Sequence, residues 1–464
     1  MEGVTDMQRT PGPPGRFGIR NVLRFARDPL AMLRHMTDGY GDVVEMQVMG
    51  KPWVLFNHPK DIEEALVKNA SVMGRDEYVS ILETTLGHGL LTSDGALWKR
   101  QRRLMSQAFT PKRIRSYAET MARVTAEGLP WRKGEVINLH DEMSRVTMEV
   151  VASVLFGHEV DAAQVETVRG AMEVINEYYA NSPEAVLKLP AWTPTPRLRN
   201  LKKSIAAIDD VVFQIIRERR RGEVRDDLLG TLLSAVDDDG KTGMDDQQLR
   251  DEAITLFLAG HETTALALAH TFYLLARYPE VEQRVLAEVT EVVGDRLPTA
   301  EDAKALRYTE QVIKESMRLY PPAWLVGREA TDDVRLGGHL VPKGAQLMMS
   351  PWIVHRDPRF FRDPEAFDPD RFSKERSKGR PRFAYFPFGG GPRTCIGSHF
   401  AMMEAVLMLA VIVSRYHLEL LPGQTLELKP SVTLRPKGEG LSVRVHKRDA
   451  ARASLQPAPA ANRA

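Results

Sequence analysis

F-G-G-G-P-R-T-C-I-G, residues Phe388 to Gly397, is the stretch that decides how this chain reads. Its Cys395 is the only cysteine among 464 residues, so no intrachain disulfide can form. Three consecutive glycines and Pro392 fix a tight loop before it. Gly389, Gly390 and Gly391 have no Cβ, which leaves room for something flat or bulky against their backbone. Gly397 follows, and an apolar helical run begins at Phe400. Where a helix begins, the dipole and unpaired N–H groups favour a thiolate. Most lone cysteines are small buried apolar residues, but this loop suits a thiolate ligand for a large planar group.

Haem held by a cysteine thiolate is the matching chemistry. The stretch resembles the haem-binding loop of the cytochrome P-450 monooxygenases. That pattern runs Phe, two variable or glycine positions, Gly, X, Arg, X, Cys, X, Gly. Phe388, Gly391, Arg393, Cys395 and Gly397 fall on it. The resemblance implies haem b (iron protoporphyrin IX) as cofactor, with Cys395 as the iron ligand. It also implies a mainly α fold with small β-sheets, in one domain. The haem would lie between a long central helix and the helix after the cysteine loop.

The length would accommodate roughly three domains, yet no composition break divides the chain. Residues 1–16 read as an extended lead-in, 17–447 as one haem domain, and 448–464 as a disordered tail rich in Ala, Pro, Arg and Ser. Lys and Arg total 63 against 62 Asp and Glu, so no global charge points to nucleic acid. No basic-then-apolar leader opens the sequence. The apolar run Ala405–Val413 is too short to span a bilayer. The expectation is a soluble, cytoplasmic protein without a transmembrane anchor.

Phe17 to Gly39 reads as helix, Val43 to Phe56 as a hairpin, and Ser71 to Gly89 as a loop. Asp94 to Phe109 reads as a helix capped by Asp94. On it Trp98 and Arg102 are four apart and share a face. Alone they would read as a surface aromatic–cation pair. In the resembled family this W-x-x-x-R donates hydrogen bonds to a haem propionate. Gln101 departs from the histidine that some relatives carry there. Residues 135–157, 163–180 and 198–221 read as helices. Leu187 to Arg197, rich in proline, fits either a plain connection or the family's mobile lid over the substrate channel.

Asp245 to Tyr278 is the longest helical stretch, apolar nearly all round from Ala253 to Leu275, as a buried central helix would be. Its middle, Ala259 to Thr264, reads A-G-H-E-T-T. Glycine costs about 1 kcal/mol there relative to alanine. A buried glutamate is expensive unless paired or functional, and threonine can bond back to the previous turn and bend the helix. These choices fit either a kink with a satisfied ion pair or a groove with proton chemistry. The motif matches the family's oxygen-binding pattern in full, including Ala259 and Gly260. The match implies that Glu262 and Thr263 are the acid–alcohol pair for proton delivery.

Val281–Val293 and Ala303–Tyr320 read as helices. Glu315 and Arg318, three apart, are unremarkable alone; with Arg371 of F-D-P-D-R-F the resemblance makes them a structural set. P-P-A-W-L-V, from Pro321 to Val326, would cross the haem and line the pocket. Arg328 and Arg393 are further candidates for the propionates. His355 and His399 read as structural, not as ligands. The sequence G-P-R-T-C-I-G, followed by F-A-M-M-E, is closer to fatty-acid and terpenoid hydroxylases than to the G-H-G-x-H-x-C-L-G subset.

The resemblance thus implies insertion of one dioxygen atom into a lipophilic substrate such as a fatty acid, terpenoid or steroid. A peroxide-driven peroxygenase or a non-catalytic haem-thiolate protein would have no use for Glu262 and Thr263. One cysteine cannot hold an iron–sulfur cluster. Electrons are therefore expected from a separate ferredoxin or flavodoxin with its NAD(P)H reductase. Lys99, Arg100 and Arg103 on the W-K-R-Q-R-R segment are read as its docking patch.

Overall fold

The computed structural model describes residues 10–448 except 16, 158–161, 183, 185–188, 191, 223–226, 238–241 and 439. Residues 449–464 of the expected tail and part of the expected lid, including 187, 188 and 191, lie outside the described residues; Arg448, expected in the tail, instead donates to Glu282.

The architecture is mainly helical with four small sheets among the described residues. At its centre runs the helix Asp246–Arg277, with Asp245 capping it by accepting from the Gln248 amide. Nearly every side chain from Leu249 to Leu275 is buried, as the all-round apolar sequence requires. Helix Leu139–Phe156 packs closely along it. A Cβ on Gly260 would lie 3.3 Å from Val151 Cγ2, so the glycine lets the two helices approach. Helix Ser398–Arg415, directly after the cysteine loop, packs against the other side. That helix is longer than its apolar run, and by length and composition it could cross a membrane. Here Ala405 to Val413 are instead buried in the main core.

A five-stranded sheet flanks the helices, in the order Val43–Val48, Lys51–Phe56, Gln346–Met349, Val326–Ala330, Met73–Gly74. Only the pairing of Lys51–Phe56 with Gln346–Met349 is parallel. This sheet holds the strand bearing Arg328 against the helical body.

Four elements differ from the sequence reading. The helix expected over 135–157 opens with the strand Val136–Asn138 and turns helical only from Leu139. The helix expected over 17–39 is two, Ile19–Arg27 and Pro29–Tyr40. Proline disfavours helical backbone in the residue before it, so Asp28 turns out to φ −152° and caps the second helix. The helix expected over 303–320 is also two, Ala300–Ala305 and Arg307–Leu319. The amides of Tyr308 and Thr309 donate to Glu288 of a neighbouring helix, a cap that no local signal announces. The segment 71–89 contains a short strand and the helices Glu77–Ser80 and Glu83–Leu86.

Glu315, Arg318 and Arg371 form a buried set, as expected. Arg318 donates to both oxygens of Glu315 at 2.8 Å, and Arg371 Nε donates to Glu315 Oε1 at 3.1 Å. Arg318 also donates to the carbonyls of His355, Pro364 and Ala366. One fully buried fork thus ties the segment ahead of the cysteine loop to helix Arg307–Leu319. Removing one partner from such a buried network costs about 3–5 kcal/mol. His355 is structural: its Nε2 accepts from the Phe386 amide at 2.9 Å. Burial, with Arg318 and Arg356 nearby, holds its imidazole well below its usual range.

Candidate active site

One cavity of about 460 Å³ lies between the central helix, the cysteine loop and the sheet. Every site residue expected from the sequence lines it: Trp98, Arg102, Ala259, Gly260, Glu262, Thr263, Arg328, Phe388, Arg393, Cys395 and Gly397. Its remaining walls are largely apolar, with Leu82, Leu155, Leu256, Met317, Val326 and Val432 among them.

Cys395 has accessible surface, yet it sits deep in the fold; what it opens onto is the cavity. Its amide donates to the Phe388 carbonyl at 3.0 Å, which closes the loop. Burial pushes the thiol up, while the Gly397 amide and the Arg102 charge pull it back toward the thiolate. A metal at the sulfur would complete that shift.

The three glycines do different jobs from the one expected of them. A Cβ on Gly391 (φ 68°) would lie 1.8 Å from the Leu66 carbonyl oxygen, and one on Gly390 2.3 Å from the Phe383 ring. Those two let the loop press against protein. Only Gly389 (φ 69°) has open space where a Cβ would point. Adjacent glycines cannot be assigned to opposite sides of a loop before its path is known.

Arg102 lies one helical turn from Trp98 on Gly95–Ser106, beside the thiol. Among the described residues it has no hydrogen-bonded carboxylate. Arg328 is almost wholly enclosed, and its guanidinium donates to the Gly327 carbonyl at 2.6 Å, with the Asp76 and Asp94 charges acting on it. Burial lowers both guanidiniums, that of Arg328 to about 10. Two buried guanidiniums lining the cavity that the thiol opens onto fit a metal-bearing group with carboxylate arms, which is the donor chemistry haem requires. Arg393 differs: it lies over the Trp98 ring at 4.4 Å and pairs with Asp94, which also caps that helix.

On the central helix, Thr263 Oγ1 donates to the Ala259 carbonyl at 2.7 Å, the back-bonding expected of it. Glu262 is buried but not free. Arg435 Nη2 stands 2.6 Å from its Oε1, and Thr433 Oγ1 donates to the same oxygen at 3.3 Å. Burial pushes this carboxyl up, but Arg435, with His140 and His261, outweighs burial and holds it below its usual range. Arg435 and Thr433 lie on and beside the strand Leu434–Pro436 of a small hairpin, and both line the cavity. The sequence reading missed them. No local motif marks a partner so far along the chain.

The proposed basic docking face is not free. Arg100 pairs with Asp237 at 2.6 Å and bonds Gln248 and the Gly243 carbonyl; Arg103 pairs with the same Asp237 at 2.5 Å. One acidic residue from a distant loop turns two of the three cations into tertiary ties. Among the described residues Lys99 alone of the three is exposed without such a tie.

The chain as a whole resembles known proteins. The family model "Cytochrome P450" matches residues 10–443. The chain belongs to the cytochrome P450 family. It is similar to cyclooctatin synthase of Streptomyces melanosporofaciens, 37% identical over 92% of this chain and 94% of that protein. It is likewise similar to cyclooctat-9-en-7-ol 5-monooxygenase of the same organism, 36% identical over 88% and 89%. The solved structure "Retinoic acid bound cyanobacterial CYP120A1" superposes with a TM-score of 0.82 at 28% identity, covering 95% of this chain and 100% of that one. As a P450 the protein takes a haem cofactor and is a monooxygenase that works with dioxygen, a lipophilic substrate and a redox partner.

Proposed function

We propose that this P450 oxygenates a lipophilic carbocycle of terpenoid type. The observation that carries this reading is the largely apolar cavity above Cys395, in a chain similar to enzymes named for cyclooctat-type substrates. Such a wall rewards burial of apolar surface, about 25 cal/mol per Å², and offers a long-chain acid no committed carboxylate anchor once Arg102 and Arg328 serve the haem.

In this reading Cys395 holds the iron, Phe388 and Gly397 shape its loop, and Trp98, Arg102 and Arg328 hold the propionates. Arg393 joins them by sharing its guanidinium with Asp94. The haem, when bound, supplies dioxygen activation, with the thiolate pushing electron density toward O–O cleavage. Ala259 and Gly260 keep the middle of the central helix low in the cavity. Glu262 Oε1 holds and passes a proton when the Arg435 pairing loosens. Thr263 Oγ1 keeps an acceptor site while it donates to Ala259. Electrons come from a separate ferredoxin or flavodoxin with its NAD(P)H reductase, and the protein works in the cytoplasm.

The test is a screen of carbocyclic terpenoids and fatty acids for a shift of the ferric haem spectrum, followed by NAD(P)H- and dioxygen-dependent turnover. Terpenoid binding and oxygenated product support the reading. Turnover of fatty acids alone would overturn the substrate class.

A further inference from the structure

One wall of the substrate cavity belongs to no helix or strand. Residues 87–93 form a turn between the helices Glu83–Leu86 and Gly95–Ser106, and they bring Leu90 and Leu91 to the cavity. The turn closes on itself through Thr92, whose hydroxyl donates to the Gly87 carbonyl at 2.6 Å and whose amide donates to the Gly89 carbonyl at 3.0 Å.

Its anchor is a pair of carboxyl groups on the central helix. Asp251 Oδ2 accepts from the His88 amide at 2.8 Å, and Glu252 Oε2 accepts from the Leu90 amide at 2.9 Å. Both side chains are buried, Glu252 completely. Two glycines let the turn lie this close. A Cβ on Gly87 (φ 58°) would overlap the Asp251 carboxylate, and one on Gly89 would overlap the Thr255 hydroxyl. A second tie comes from Gln101, the residue that stands where some relatives carry histidine. Its Nε2 donates to the His88 carbonyl at 2.6 Å, and its Oε1 accepts from the Ser93 hydroxyl at 2.5 Å.

The two carboxyls are not equivalent. Asp251 Oδ1 accepts from Arg250 at 3.0 Å and from Gln247 at 2.9 Å, and Arg250 reaches on to Asp209 of the helix Pro196–Arg221. Glu252 has no such cation. Among the described residues its Oε1 has no hydrogen-bond partner, and the groups that act on it are the Leu90 amide and the Asp251 charge. Burial, with Asp251 adding to it and the Leu90 amide opposing, pushes Glu252 up to about 8.

We propose that Asp251 and Glu252 are positioning residues for the substrate: they clamp residues 87–93 to the central helix, so setting the Leu90–Leu91 wall, and a proton on Glu252 keeps the clamp shut. An ionised Glu252 gains water only if the turn lifts, so losing that proton favours the open wall. The clamped carboxyl is held above its ordinary value. Clamping is therefore strongest in the ordinary carboxylate range, weakens as pH climbs toward about 8, and levels off once both states are ionised. The clamp acts on any occupant of the cavity, terpenoid or not.

The experiment is amide hydrogen exchange of the haem-loaded full chain from about pH 6 to about pH 9, corrected for the intrinsic pH dependence of exchange. Carbon monoxide rebinding after flash photolysis, with a ligand that does not titrate, reports the cavity wall in the same samples. In the parent, protection of the His88 and Leu90 amides should fall by up to about tenfold per pH unit to about pH 8, since one proton leaves on opening. Rebinding should change over the same range. Glu252→Gln keeps an acceptor for Leu90 and cannot ionise, so both profiles should become flat. Asp251→Asn removes the charge beside Glu252, so its profile should level off at a lower pH. Parent protection that ignores pH, or a Glu252→Gln profile with the parent's slope, would overturn the clamp. Rebinding that ignores pH while protection falls would overturn its hold on the cavity wall.

Discussion

Replacing Arg435 by methionine tests whether the Glu262 charge is sustained by one ion pair. Methionine keeps the unbranched apolar stem and removes only the guanidinium. The Glu262 carboxylate is about 5% exposed and Arg435 19%, at 2.6 Å. Removing one partner of a buried pair costs about 3–5 kcal/mol; because Arg435 is partly exposed, the lower end applies, about 3 kcal/mol at pH 7. The sign with pH follows from linkage. In the parent, Glu262 titrates below its unfolded value, so the pair adds stability above the ordinary carboxylate range and loses it as pH falls through the folded value. In the variant only His140 and His261 still oppose burial, which then raises the carboxyl, so a penalty is present at neutral pH and vanishes at acid pH. The gap between the two proteins in urea unfolding should therefore be widest near neutrality and close toward the carboxylate range. Glu262→Gln/Arg435→Met should recover much of the loss. A gap that does not change with pH, or a double variant no better than the single one, would refute this account of the pair.

Thr263→Ala should retain haem and substrate spectra but divert reducing equivalents from product to peroxide; unchanged product per NAD(P)H would remove Thr263 from proton delivery. Arg102→Ala and Arg328→Ala should each release haem faster to an apomyoglobin acceptor, because a charge-assisted bond contributes about 1.5–3 kcal/mol. Parent-like release in both would leave the propionates to other residues. Glu404 is fully buried; burial pushes it up to about 8, with the Thr264 hydroxyl opposing the shift. A raised carboxyl costs stability as pH climbs from its unfolded value toward 8, so Glu404→Gln should gain on the parent between pH 5 and pH 8 in urea unfolding. A constant difference would show that the group titrates normally.

The sequence carried the fold because its signals are local and repeated. The apolar run over 253–275 and the hairpin over 43–56 needed only periodicity. The Glu315–Arg318–Arg371 set and the cavity lining followed from the family resemblance that the motifs carry. What the sequence did not carry was pairing across distance. Arg435 on Glu262, Asp237 on Arg100 and Arg103, and Glu288 on the amides of Tyr308 and Thr309 each join segments far apart in the chain. A charged residue looks the same in sequence whether it faces solvent or a partner, which is why the basic 98–103 face read as free.

The most direct test of the central claim is the absorption spectrum of the reduced protein under carbon monoxide. With Cys395 as iron ligand the parent shows the red-shifted band of thiolate ligation, and Cys395→Ala loses it while still binding haem in the same cavity. A red-shifted band that persists in Cys395→Ala, or a parent without one, would contradict the account.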